Sequence, residues 1–206
     1  EIPLYISHTE PHKIRHVNAV IFPNLEKNFG DAYNVATDVA FRDGYESVIL
    51  ANDDVVLIPT TIALMKEDSE LLSSRGFKVG FLGARSDYVL PDQNIRFSLR
   101  VDERDGVKWA SENMIKPTDV IAPIFATITK EAWETARFPS TNWYSDNIMC
   151  YDLQKAGFQH FVSRSYVHHA GSQTVGTDFQ KCHEEPREWI KANRPDMYEE
   201  IYGKTP

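Results

Sequence analysis

Apolar and polar positions along this chain keep switching between two periods. Residues 2–7 (IPLYIS) and 18–22 (NAVIF) are short apolar runs, rich in β-branched and aromatic side chains and closed by turn formers, and both read as strands. After Gly30-Asp31 the spacing becomes helical: Ala32, Val35, Ala36, Val39 and Ala40 share a face, and Gly44 supplies a stop. Ser47–Ala51 is a continuous apolar run, as expected of a strand covered on both faces. Asn52-Asp53-Asp54 and Pro59 follow, then Thr60 or Thr61 caps a second helix to about Leu72, and Val79–Gly83 is a further strand. This order predicts an α/β fold with a mostly parallel central sheet flanked by helices.

Residues 85–118 break the rhythm. Polar alternation from Asn94 to Val101 and an Asp105-Gly106 turn predict a small antiparallel excursion or a long loop that moves on binding. The run from Val120 to Ile128 returns to the core, and Thr129 caps a short helix carrying Trp133. A helix from about Trp143 to Ala156 stops at Gly157, and a strand follows over 159–167. The tail from Glu184 to Tyr202 reads as two amphipathic helices broken near Pro195.

Composition narrows the function classes. The 206 residues suit one domain, and 42% hydrophobic with 25% charged residues marks a globular chain. A formal charge of −8 argues against a protein held by nucleic-acid phosphates. No run of about 18 apolar residues offers a membrane span. With neither a basic n-region nor an apolar h-region at the start, the expectation is a cytoplasmic protein. Cys150 and Cys182 make neither a disulfide framework nor a zinc spacing.

Three places carry chemistry. Asn52-Asp53-Asp54 follows a buried strand, where open α/β sheets bind ligands. Two adjacent carboxylates there either await a hard cation such as Mn²⁺ or Mg²⁺ or form a solvated turn before the next helix. His168-His169 closes a later strand, and alternation lets only one of the pair face a given site. That imidazole is a metal ligand or an ordinary core or surface histidine. Asp146, at a predicted helix start, is a general base or a carboxylate complementing the helix dipole.

Taken in order, these features resemble the GT-A glycosyltransferases, particularly the inverting enzymes of family 2, from about residue 17 to 174. Lys27-Asn28-Phe29-Gly30-Asp31-Ala32-Tyr33-Asn34 looks like the stretch before the family's helix, and Asn52-Asp53-Asp54-Val55 like its DxD motif. Thr127–Trp133, Phe138-Pro139, Tyr144-Ser145-Asp146 and Lys155–Phe158 follow the acceptor-side pattern, and His169-Ala170-Gly171-Ser172-Gln173-Thr174 matches its H-x-G-S-x-T end. The resemblance implies one domain over residues 1–206: a nucleotide-sugar half (1–84), an acceptor half (85–175) and a C-terminal helical cover (176–206). It implies a metal-dependent transferase using a nucleotide-diphosphate sugar, UDP-glucose first, and an acceptor of unread identity. Asp54 and His169 would hold the metal, Asn52, Asp53, Asn28 and Arg85 would face the donor, and Asp146 would be the base. Arg85 read on its own is more simply an exposed salt-bridge residue. The resemblance leaves room for an oligomer in which a second copy supplies the donor wall.

Three departures accompany the resemblance. Ser145 stands where the family has Glu, the Asn28–Asn34 stretch is about two residues short, and Ile2–Ser7 occupies the place of the family's second strand. The expectation is a domain without the first βα unit, with weak base selectivity and some donor hydrolysis. Rival readings are a catalytically silent nucleotide-sugar or glycan-binding module, a phosphohydrolase using Asp53, Asp54 and His169 with Asp178 as the nearby addition, and an interaction domain presenting its aromatic tail.

Overall fold

The structure is a computed structural model and describes residues 2–8, 10–15, 18–25, 28–89, 92–96, 113–170 and 179–203. It is an α/β fold with two sheets. β1 (Leu4–His8) and β2 (Ala19–Pro23) pair in parallel as a small sheet of their own. The central sheet takes β3 (Ser47–Ala51), β4 (Val55–Leu57), β5 (Val79–Ser86), β6 (Lys116–Thr118), β7 (Phe125–Thr129) and β8 (Gln159–His169). Its order is β3-β7-β5-β8-β4, with β6 also on β8.

This sheet is mixed rather than mostly parallel. β5 and β8 are parallel, while β7 runs antiparallel to both β3 and β5, and β4 and β6 run antiparallel to β8. The run after Val120 enters the middle of the sheet instead of extending its edge, so strands from the first 84 residues and from later ones interleave. The three-residue strands β4 and β6 carry too little pattern to be read from sequence.

Alternation along the strands builds a core on each face. On one, Leu50, Phe81, Ile128 and Val162 pack with Phe41, Trp133, Phe138, Met149 and Leu153. These come from α1 (Phe29–Arg42), α3 (Lys130–Thr135), α4 (Ser145–Lys155) and the loop between α3 and α4. On the other, Leu82, Phe125, Phe161 and Val167 pack on Met65 and Leu72 of α2 (Thr61–Ser74). Burying each such side chain contributes about 1.5–3 kcal/mol. Asp68 fixes α2 to β8: it is fully buried and accepts from the Ser163 hydroxyl, the Arg164 backbone N–H and the Arg164 Nε.

The helical tail carries the two helices the sequence predicts over 184–202, with a short helix ahead of them. It forms α5 (Phe179–Glu184), α6 (Arg187–Asn193) and α7 (Pro195–Tyr202), with Ile190, Met197 and Tyr202 packed on Ile148 of α4. Pro195 breaks it where expected. α4 begins at Ser145, two residues later than the pattern predicts, because Tyr144 is in the left-handed region at φ 60°. The Asp105-Gly106 turn, Gly171–Thr174 and Asp178 lie outside the described residues.

Chain reach explains how the two ends of the sheet meet. Four residue steps from Ala51 to Val55 cover at most about 14 Å, whereas four strand spacings across a flat sheet take about 19 Å. β4 and the end of β8 must therefore curl back over the sheet, and register irregularities between β5 and β8 at Gly83 and Arg85 accompany the bend.

Candidate functional site

β3, β5 and β8 run in one direction, so their carboxyl ends share a rim. Each delivers polar residues there: Asn52-Asp53-Asp54 after β3, Asp87-Tyr88 after β5, and His168-His169 closing β8. The acidic turn is clamped from both sides. The Asn52 N–H donates to the Ile124 carbonyl at 2.9 Å, and the Asp54 carbonyl accepts from the Ala170 N–H at 3.0 Å.

Asp54 and His169, 115 residues apart along the chain, converge: His169 Nε2 lies 3.1 Å from Asp54 Oδ1, both side chains being mostly buried. The other ring nitrogen, Nδ1, lies 2.6 Å from the Tyr88 carbonyl oxygen. A carbonyl only accepts, so Nδ1 carries the proton and Nε2 of the neutral ring presents a lone pair. That lone pair faces a carboxylate oxygen which is buried and receives no hydrogen bond. Two acceptors at this distance repel unless a second ring proton or a cation joins them. A backbone carbonyl on the far nitrogen is the support that metal-ligating imidazoles use. The donor set thus fits a divalent cation. Among the described residues no third His, Cys, Asp or Glu joins the pair to make a protein-only cage. Further ligands would be water or a substrate oxygen, the usual arrangement for Mg²⁺.

His168 faces away, more than half exposed, with Nδ1 2.8 Å from Asp87 Oδ2. Asp87 also accepts from the His169 backbone N–H, and burial, the largest influence on it, is outweighed by these hydrogen bonds, which hold its carboxyl below the ordinary range. It locks the end of β5 onto the end of β8.

Asn52 and Tyr33 close the other side. The Tyr33 hydroxyl donates a short hydrogen bond to Asn52 Oδ1, which turns Asn52 Nδ2 toward His169 Nε2 at 3.5 Å. Burial first, then the charges of Asp53, Asp54 and Asp146, push the Tyr33 phenol up, so it stays a donor. Tyr33 thus feels both the acidic turn and Asp146. Burial raises the Asp146 carboxyl to about 6, only partly opposed by the Asn147 N–H that donates to Oδ1.

The loop before Asp146 is stitched to α1. Asn34 and Phe138 exchange two hydrogen bonds, Ser140 donates to Asp31, and the Phe29 N–H donates to Asn142 Oδ1. Approach is closest at Gly30, where a Cβ would lie 1.9 Å from the Pro139 carbonyl oxygen and 2.8 Å from Ser145 Oγ. Ser145 is buried and donates to that same carbonyl. A glutamate side chain has no room there.

Two expected donor residues have other tasks. Asn28 caps α1: its Oδ1 accepts from the Asp31 N–H and its Nδ2 donates to the Asp31 carboxylate. Arg85 is neither an exposed salt bridge nor a cleft cation. It is 3% exposed and donates to the Met114 carbonyl at 2.6 Å, and burial, countered in part by Asp68, lowers its pKa. Asp53 stays exposed beside Asp54. Sequence reasoning missed Asp87 and Tyr88 although the strand-end rule applied to 52–54 reaches them equally. Tyr33 carried no signal beyond its place in a motif.

An open groove of about 680 Å³, lined by Asp92, Lys116, Thr118, Asp119, Gln154 and His160 among others, lies at the opposite rim, where β8 begins. Its Lys116 and Thr118 both bond Asp92. It takes no part in the site at the Asp54 rim.

Among the described residues no helix is long and apolar enough to cross a membrane. No family model and no curated protein matches the chain. Among solved structures it is similar to A197 from STIV, with 17% identity and a TM-score of 0.44 over 71% of this chain and 68% of that one. Similarity at that level says nothing about chemistry.

Proposed function

We propose that this chain is a metal-dependent glycosyltransferase that moves a sugar from a nucleotide-diphosphate donor to an acceptor hydroxyl with inversion. UDP-sugars, UDP-glucose first, are the donors to try. The observation that carries the reading is the facing pair of acceptors, His169 Nε2 and Asp54 Oδ1, with the histidine proton committed to Tyr88. Asp54 and His169 would hold Mn²⁺ or Mg²⁺, which when bound supplies Lewis-acid stabilisation of the departing diphosphate.

The chain's own groups do the rest. Asp87 and Tyr88 hold the His169 ring and backbone, and Tyr33 orients Asn52 beside them. Asp146, with a pKa of about 6, is mostly ionised at neutral pH yet still a better base than an exposed carboxylate. It takes the proton of the acceptor hydroxyl as that oxygen bonds to the sugar's C1 and the bond from C1 to the diphosphate oxygen breaks. With an acidic cleft, an anionic donor depends on a cation for binding.

The test is diphosphate release from a panel of nucleotide sugars with and without Mn²⁺, alongside nucleoside-diphosphate binding. The reading expects metal-dependent release that falls about 100-fold or more in Asp146→Asn with donor binding retained, and loss of metal-dependent binding in Asp54→Ala. Absence of metal-dependent nucleotide binding contradicts it. Binding without release in the wild type favours a silent binding module instead.

A further inference from the structure

Tyr144 is the one non-glycine among the described residues with positive φ, at 60°, and it immediately precedes α4, whose second residue is Asp146. A bulky side chain rarely occupies this region, so surrounding contacts must hold it there. The contacts come from the C-terminal helices. The Tyr144 hydroxyl lies 2.7 Å from His183 Nδ1 on α5, and the His183 carbonyl accepts from the Tyr202 hydroxyl of α7. The three rings pack together, His183 against Tyr202 at 4.7 Å between centroids. Two residues on, just past α5, Glu185 accepts from Asn142 Nδ2 and Trp143 Nε1, while Asn142 Oδ1 is held by α1.

We infer that the C-terminal helices belong to the site: Tyr144 and His183 are positioning residues whose contact holds the strained turn that presents Asp146. This rests on the transferase reading for the role of Asp146, but the geometry stands without it. The α4 N-terminus has no side-chain cap to fix the turn locally. The carboxyl of Asp146 is set by its own burial and by the backbone N–H groups of Asn147 and Asp146, while Tyr33 of α1 and Cys150 on its own helix feel its charge. None of them lies on the tail. Loosening the tail therefore reaches Asp146 through backbone position rather than through a changed charge.

The experiment compares the full chain with Tyr144→Phe, which removes one hydroxyl, and with His183→Ala. Turnover should fall about tenfold with donor KM within about twofold of wild type. The acidic limb of the pH–rate profile should move from about 6 toward the ordinary carboxylate range as the turn loosens and water reaches the acid. The double variant should be no worse than the poorer single one, since both remove one contact. A second readout needs no turnover: ¹³C-carboxyl titration of Asp146 should show the same downward move at unchanged far-ultraviolet circular dichroism. An unchanged titration in both folded variants overturns the inference. A moved titration in a protein that releases no diphosphate upholds it and counts against the transferase reading instead.

Discussion

In the proposed transferase, Asp146 ties catalysis to stability at a single carboxyl. Its folded pKa of about 6 lies above the value near 3.9 of an unfolded aspartate. Between those values the folded chain binds more protons than the unfolded one, so stability falls as pH rises from about 4 to about 6 and stays lower above that. Asparagine cannot ionise and escapes the loss. Asp146→Asn should therefore gain on the order of 1–3 kcal/mol in urea unfolding at pH 7.5, with the gain vanishing toward pH 4. The same variant should lose turnover. Equal stability differences at both pH values would show that the carboxyl is not held in a desolvated position. His169 illustrates the complementary device: one carbonyl, that of Tyr88, fixes which nitrogen of the neutral ring is bare, and the adjacent carboxylate favours a proton or a cation there.

At the scale of elements, the site depends on how closely α1 approaches the 138–145 loop. Gly30 permits that approach, and the amide pair of Asn34 with Phe138 fixes its register. Gly30→Ala places a methyl against backbone and should destabilise the fold by about 1–3 kcal/mol, as overpacking does. Because the Pro139 carbonyl also anchors Ser145, turnover should drop further than the stability loss explains. Urea unfolding and kinetics on the same preparation check both. The helices and the longer strands were legible because their apolar periods run for several residues, as in Ala32–Ala40 and Ser47–Ala51. The pairing of Asp54 with His169 came from the family resemblance alone, since alternation leaves His168 and His169 equally placed at the end of β8. The insertion of β7 between β3 and β5 was not legible, because a buried antiparallel strand has the same apolar run as a parallel one. Arg85 escaped for a related reason: a strand-end arginine shows its charge in sequence but not the carbonyl that lets it stay buried. Asn28 was read as a ligand because a cap and a donor contact both call for a short amide.

For the molecule as a whole, charge and topology point to the same rim. A chain of net charge −8 gathers Asp53, Asp54 and Asp146 around Tyr33, at the carboxyl ends of three strands running one way. The tail helices pack on α4 and reach the loop before Asp146, so the last described segment bears on the loop that leads into Asp146. An acidic rim of this kind would bind the proposed anionic donor poorly until its charge is offset, which makes the cation the pivot of the proposal. Its most direct test is Mn²⁺ titration followed by electron paramagnetic resonance, with a nucleoside diphosphate present, on the wild type, Asp54→Ala, His169→Ala and His168→Ala. The account predicts that wild type and His168→Ala take up the ion alike, while Asp54→Ala and His169→Ala each lose it. Retention of wild-type Mn²⁺ affinity in Asp54→Ala and His169→Ala would contradict it.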